Sequence, residues 1–149
     1  MKHSGFTLLE LVVSVAVSAL ILGAGWFSFS SYAARQELKS GSARVAALIV
    51  EARSKTLSGE GASAWGVHFE SDKAVLFKAP SYSSTGADNK TETMPRRIII
   101  SSNTFSSNEV VFARLTASAN AGSVTLSVRG NSSISKIIYV NTLGVVEGE

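Results

Sequence analysis

The chain has 149 residues, with 14 Lys and Arg against 11 Asp and Glu, a formal net charge of +3, and no cysteine. That length supports one compact domain, and the lack of cysteine excludes a disulfide framework, thiolate metal sites and a cysteine nucleophile. Charged residues make up only 17% and hydrophobic residues 45%, much of the apolar excess lying at the amino end.

The first thirty residues carry the densest information. Met1-Lys2-His3-Ser4-Gly5 runs into Phe6-Thr7-Leu8-Leu9-Glu10 and then into an uncharged apolar segment from Leu11 to Phe29. At 1.5 Å per residue such a segment roughly matches a 30 Å hydrocarbon core. A carboxylate at the centre of a membrane helix costs roughly 2.5 to 3.5 kcal/mol and needs a partner or a water path even near the interface, so Glu10 requires a reason. Thr7-x-x-Glu10 fits a capping box, in which threonine and glutamate satisfy orphan amides at a helix start. Ala16-Val17-Ser18-Ala19 offers small residues to a signal peptidase, but the apolar run continues past Ala19 and would enclose Glu10. A plain single-pass anchor accounts for the length and gives no reason for Gly5-Phe6 or Glu10. Gly23 and Gly25 each cost about 1 kcal/mol in a helix. They serve either close helix packing or local stretching of the segment.

The helix is expected to continue past the apolar run. No proline interrupts Ser30 to Leu57, and Leu38, Val45, Leu48, Ile49 and Ala52 keep helical spacing. Glu37, Arg44, Glu51 and Lys55 form the opposing polar stripe, with Glu51 and Lys55 spaced for an i,i+4 pair. Ser58-Gly59-Glu60-Gly61 ends it. Counted from Phe6 this is about 53 residues, or roughly 80 Å if continuous.

Beyond Gly61 the period changes from helix to strand. Trp65, Val67 and Phe69 alternate with Gly66 and His68, and Glu70-Ser71-Asp72-Lys73 turns the chain into Ala74 to Lys78, a predicted hairpin. Pro80 to Pro95 is a polar loop of the length at which loops are functional or mobile. Further strands are expected at Arg97 to Ser101, Val110 to Leu115, Ser123 to Arg129 and Lys136 to Asn141. Val124, Leu126 and Val128 should face inward, with Thr125, Ser127 and Arg129 outward. Gly130-Asn131 makes a turn, and Val145-Val146 a short last strand.

The residues give little support to an enzyme. His3 precedes Gly5 and His68 sits mid-strand, where a lone histidine is usually a surface or satisfied residue. No phosphate loop, Gly-x-Ser-x-Gly elbow or HExxH helix occurs. Asp72, Asp88, Glu92, Glu147 and Glu149 lack calcium-loop spacing, and no metal or cofactor is expected. Asn89-Lys90-Thr91 and Asn131-Ser132-Ser133 match a glycosylation sequon that arises commonly by chance.

Residues 1–29 resemble the class III leader and amino terminus of type IV pilins and pseudopilins. The carriers are Lys2, Gly5, Phe6, Thr7, Leu8, Leu9 and Glu10, with no departure from the short motif. The resemblance implies that a prepilin peptidase cuts between Gly5 and Phe6 and that Phe6 is then methylated. It places the family's conserved glutamate, fifth in the mature chain, on Glu10 as an assembly residue. Lys2 leaves with the leader, so the mature side-chain balance is 13 basic against 11 acidic groups. The layout is similar to the GspH/FimT branch in Ala47-Leu48, Glu51-Ala52-Arg53, Trp65-Gly66-Val67-His68-Phe69 and Asn141-Thr142-Leu143-Gly144-Val145-Val146. The loop from Pro80 to Pro95 departs from that branch.

The implied fold is α+β, a long N-terminal helix packed on an antiparallel β-sheet or β-sandwich. It comprises a leader 1–5, a membrane or filament-core helix 6–29 and a globular domain 30–149, with amphipathic helix 30–58 and strands within 64–147. The implied partners are other pilin or pseudopilin subunits, the peptidase, an inner-membrane assembly platform and the membrane itself. The implied location is the bacterial inner membrane, with the globular domain outside the cytoplasm, and after assembly a periplasmic or surface filament. A second reading is a tethered DNA-binding subunit, in which Arg96, Arg97, Arg114 and Arg129, together with Lys136, neutralise phosphates if one face collects them. Outward strand charge that blunts sheet edges is the plainer account of the same residues.

Overall fold

The structure is a computed structural model and describes residues 6–148, the side chains of residues 24–29 excepted. The expected leader, with Lys2, His3 and Gly5, lies outside the described residues, as does Glu149.

Helix α1 runs without a break from Leu8 to Leu57, passing through Gly23 and Gly25. The chain divides into two compact units, Met1–Ala33 and Ala34–Glu149, and α1 contributes to both. Its end has a local cause. Ser58 and Gly59 donate back to Ser54 and Thr56, and Gly59 takes the left-handed conformation (φ 71°) that costs glycine least. Among the described residues no helix is long and apolar enough to cross a membrane. The expected span ends at Phe29, and the part of it whose side chains are described stops at Gly23, short of about 20 residues.

In the second unit the helical stripe does what its spacing requires. Leu38, Val45, Leu48, Ile49 and Ala52 are all buried. They meet two four-stranded antiparallel sheets. The first has the order β3-β2-β1-β5, from β1 (Trp65–Phe69), β2 (Lys73–Lys78), β3 (Lys90–Thr93) and β5 (Glu109–Phe112). The second has the order β4-β6-β7-β8, from β4 (Ile98–Asn103), β6 (Gly122–Val128), β7 (Asn131–Val140) and β8 (Val146–Gly148). One apolar core joins the helix stripe to Val67, Phe69, Leu76, Val110 and Phe112 of the first sheet and Ile98, Val124, Leu126 and Ile138 of the second. The α+β class is therefore as the sequence implies.

Four local expectations need correction. The loop from Pro80 to Pro95 contains strand β3, which pairs with β2 in the register Lys73↔Thr93 to Leu76↔Lys90. Its polar sequence hid it, because an edge strand with Lys90, Thr91 and Thr93 exposed shows no apolar alternation. The Glu51–Lys55 helix pair does not form. Glu51 instead meets Lys90 at 2.7 Å, Arg44 meets Glu92 at 3.0 Å, and Lys55 reaches Glu60 at 2.5 Å and the Trp65 ring at 4.6 Å. The polar stripe thus clamps β3 beside the helix, though such partly exposed pairs are worth about 0 to 1 kcal/mol each. Strand β5 stops at Phe112 rather than Leu115, because Ala113 and Ala117 close a tight loop that brings Ala117 into the core. Leu115 is left in the positive-φ region and 88% exposed. Ser127 is buried rather than outward, at the point where the β6–β7 register shifts.

The hairpin turn forms as expected, closed by the Glu70 amide on the Lys73 carbonyl at 2.9 Å. The Glu70 hydrogen bond and charge hold the Lys73 ammonium above the usual lysine range. Helix and β1 are joined through Thr56, whose buried hydroxyl donates to the Ala52 carbonyl at 2.9 Å and accepts the Trp65 amide at 3.1 Å.

The face of the first sheet away from the main core carries a smaller apolar cluster. Strand alternation places Val75 and Phe77 there, and both are buried. A Cβ on Gly66 would stand 2.7 Å from the Phe77 ring and 2.7 Å from the Val110 carbonyl oxygen, so the Phe77 ring occupies the space a side chain would need. Gly66→Ala should therefore cost about 1 to 3 kcal/mol, the range of overpacking. Urea unfolding of the soluble domain checks this, and an unchanged midpoint would show that the ring moves aside freely.

Candidate functional site

The amino-terminal helix begins on a threonine cap. The Glu10 amide donates to the Thr7 hydroxyl at 3.3 Å, and the Leu11 amide to the Thr7 carbonyl at 3.2 Å. Only the threonine half of the capping box is present. Among the described residues the Glu10 carboxylate has no hydrogen-bond or ion-pair partner. Ser14 and Ser18 turn their hydroxyls back onto the Glu10 and Ser14 carbonyls at 2.7 and 2.8 Å, which satisfies them inside the helix. Glu10 is thereby the one polar side chain between Phe6 and Gly23 that the segment leaves without a partner. Around it Leu8, Leu9, Leu11, Val12, Val13, Val15, Leu20, Ile21 and Leu22 are all exposed. A helix apolar all round requires an apolar environment outside itself. Phe6, the expected new amino terminus, is exposed as well.

The four candidate DNA contacts do not share one face. Arg96, Arg97 and Arg129 converge where β4 begins and β6 ends: the Arg129 amide donates to the Arg97 carbonyl at 2.6 Å and its Nε to the Arg96 carbonyl at 3.4 Å. Arg96 and Arg129 line a recess of about 400 Å³ with Asp72, Thr93, Met94, Pro95 and Ile98, which contains no aromatic ring. Arg114 lies in the loop after β5, beyond the Phe112 that pairs with Trp65. It belongs to the end of the domain where α1 finishes.

His68 is more engaged than a lone strand histidine suggests. Its ring stacks on Tyr82 at 4.0 Å and 8°, and Tyr82 sits edge-on to Phe77 at 5.6 Å. Glu109 accepts the Tyr82 amide at 3.0 Å, and its carboxylate is 3.9 Å from His68 Nδ1, a buried atom with no hydrogen-bond partner. Tyr82 thus fastens the start of the long loop to the sheet. The sequence signal for this was the bare strand position at Gly66, which leaves room for a ring from the neighbouring strand.

Among the described residues no group of three His, Cys, Asp or Glu side chains could hold a metal ion. A recess of about 510 Å³ at the end of the second sheet where β6 begins and β7 finishes is lined by Thr104, Gly122, Ser123, Tyr139, Asn141 and Glu147 among others.

Residues 1–26 match the family described as the prokaryotic N-terminal methylation motif. No curated protein is matched by the sequence. Among solved structures the fold is similar to the type IV minor pilin FimU of Pseudomonas aeruginosa strain PAO1. In one crystal form the TM-score is 0.61 at 12% identity over 77% of this chain and 90% of that one. In a second form it is 0.59 at 11% identity, over 75% and 92%. The minor pseudopilin EpsH from the type 2 secretion system of Vibrio cholerae is similar at a TM-score of 0.58 and 6% identity, over 76% of this chain and 96% of that one. The chain therefore joins a prepilin-type methylation motif to a type IV pilin-like fold.

Proposed function

We propose that this chain is a non-enzymatic structural subunit, a minor pilin or pseudopilin, of a type IV pilus or a type II secretion pseudopilus. The observation that carries this reading is the continuity of one helix from a methylation motif into a pilin-like domain. A prepilin peptidase cuts between Gly5 and Phe6, and Phe6 is methylated. The helix from Phe6 to Phe29 holds the subunit in the inner membrane, with the globular domain outside the cytoplasm. An assembly platform then moves it into a periplasmic or surface filament, where Glu10 meets a neighbouring subunit. Recovery of the chain in sheared filaments, or crosslinked through residues 6–29 to other subunits of its own kind, tests this. Its absence from both would overturn it.

The DNA-binding alternative is less well supported. It needs a contiguous cationic face with stacking groups, whereas Arg114 is separated from the other three arginines and their recess holds no aromatic ring.

A further inference from the structure

The outward face of the second sheet ends in a row of cross-strand partners. Ser123 of β6 stands opposite Tyr139 of β7, and Tyr139 stands opposite Glu147 of β8. Directly opposed residues share a face of a sheet. Val124, Leu126, Ile138 and Val140, at the alternate positions of β6 and β7, are buried in the core, so the row points the other way. Tyr139 is 42% exposed, and Glu147 is exposed as well. Beside the row lies the recess of about 510 Å³, which Thr104 and Asn141 also line.

The recess is built from fixed parts. Thr104 donates its amide to the Ser123 carbonyl at 2.9 Å and accepts the Ser123 amide on its hydroxyl at 2.8 Å. Asn141 Oδ1 accepts the Leu143 and Val145 amides at 2.9 and 3.0 Å, which leaves the side-chain nitrogen to donate elsewhere. The Tyr139 hydroxyl and the Glu147 carboxylate have no hydrogen-bond or ion-pair partner among the described residues. These groups disfavour several ligand classes. Among the described residues no Lys or Arg lines the recess, so it offers no counter-charge to phosphates or acidic sugars. A single carboxylate does not make a metal site, and no metal-holding group is found among the described residues. Both edges of β7 at Tyr139 are taken, by β6 and β8, so an extended peptide finds no strand edge to join there.

We propose that this recess binds a neutral saccharide. A pyranose ring has a face of C–H groups that packs on an aromatic ring, and a rim of hydroxyls that both donate and accept. Tyr139 supplies the apolar platform, with its own hydroxyl at the rim. Glu147 accepts from neighbouring sugar hydroxyls, Asn141 donates, and the Thr104 and Ser123 hydroxyls complete the rim. The volume falls within the ordinary range of small-molecule sites. Such binding requires neither membrane insertion nor a filament, because every lining residue belongs to the unit Ala34–Glu149.

The test titrates the full chain, held in a polyoxyethylene detergent that has no sugar headgroup, with chitotetraose and with cellotetraose by isothermal calorimetry. Wild type should bind one or both with a dissociation constant of about 1 mM or below. Preference for chitotetraose assigns the site to a glycan of N-acetylated amino sugars, as in cell walls, and preference for cellotetraose assigns it to a plain glucan. Either result supports a saccharide site. Tyr139→Ala should weaken binding about tenfold. Tyr139→Phe, which keeps the ring, should retain most of it, and Glu147→Gln should weaken it. Arg129→Gln, in the other recess, should leave it unchanged. Binding of neither sugar by wild type overturns the inference and leaves the filament reading standing. So does an affinity unchanged by both Tyr139→Ala and Glu147→Gln, or a loss in Arg129→Gln as large as that in Tyr139→Ala.

Discussion

Glu10→Gln should be cleaved and inserted in the membrane like the wild type, yet enter filaments at least tenfold less efficiently, with Glu10→Asp intermediate. The carboxylate has no partner among the described residues, in a helix segment whose other polar side chains, Thr7, Ser14 and Ser18, are hydrogen-bonded. Two opposite charges about 4 Å apart interact by roughly 4 kcal/mol at an effective dielectric of 20, and a third of that is about a tenfold change in an assembly equilibrium. On the proposed processing, the recurrent cation at that depth would be the amino terminus of Phe6 on another subunit. A subunit one step out of register leaves both charges unpaired, whereas the apolar side chains around them slide with little preference. The cap alternative forecasts otherwise, because glutamine serves a capping box as well as glutamate does. The structure already shows the threonine half of that box formed without the glutamate half. Quantifying the variants in sheared filament fractions decides between the two, and normal incorporation of the glutamine variant would leave Glu10 as a helix cap.

Phe69→Ala should remove most of the stability of the globular domain. Phe69 is 2% exposed, sits in the core shared by the helix and both sheets, and stacks on Phe105 at 5.7 Å. Truncation of a buried phenylalanine typically costs 3 to 5 kcal/mol, against a total of roughly 5 to 15 for a small domain. A soluble chain beginning near Ser30 should fold with mixed helix and strand by circular dichroism. The substitution should lower its urea midpoint by about 2 M for a slope near 2 kcal/mol/M. Phe69→Leu, which keeps most of the volume, should cost far less. A midpoint that Phe69→Ala leaves in place would mean that the two sheets do not close on this side chain.

The helix and the alternating strands were legible because their periods are local. Leu38, Val45, Leu48, Ile49 and Ala52 declare a face by spacing alone, and Trp65, Val67 and Phe69 do so at period two. Partner choice was not legible. Glu51 had a lysine four residues away and took Lys90 instead, because the fold brings β3 alongside the helix and nothing in the local pattern records that. Strand β3 itself carries the wrong chemistry for recognition by pattern, since an exposed edge is held by its ladder rather than by burial. The same holds for Tyr82, whose place on His68 and Phe77 depends on the space above Gly66. Of the candidate site residues, Phe6 and Glu10 were found through a motif, and motifs name residues without their distances. The arginines were found by type, and only the β4–β6 pairing separates Arg96, Arg97 and Arg129 from Arg114.

The reading of this chain as a processed filament subunit depends first on the amino terminus it bears after export. Intact-mass and N-terminal peptide analysis of the membrane-extracted protein should show a chain that begins at Phe6 and carries one methyl group on its amino nitrogen. A chain that begins at Leu20, after Ala16-Val17-Ser18-Ala19, or that keeps Met1 in cells with an active prepilin peptidase, would contradict it.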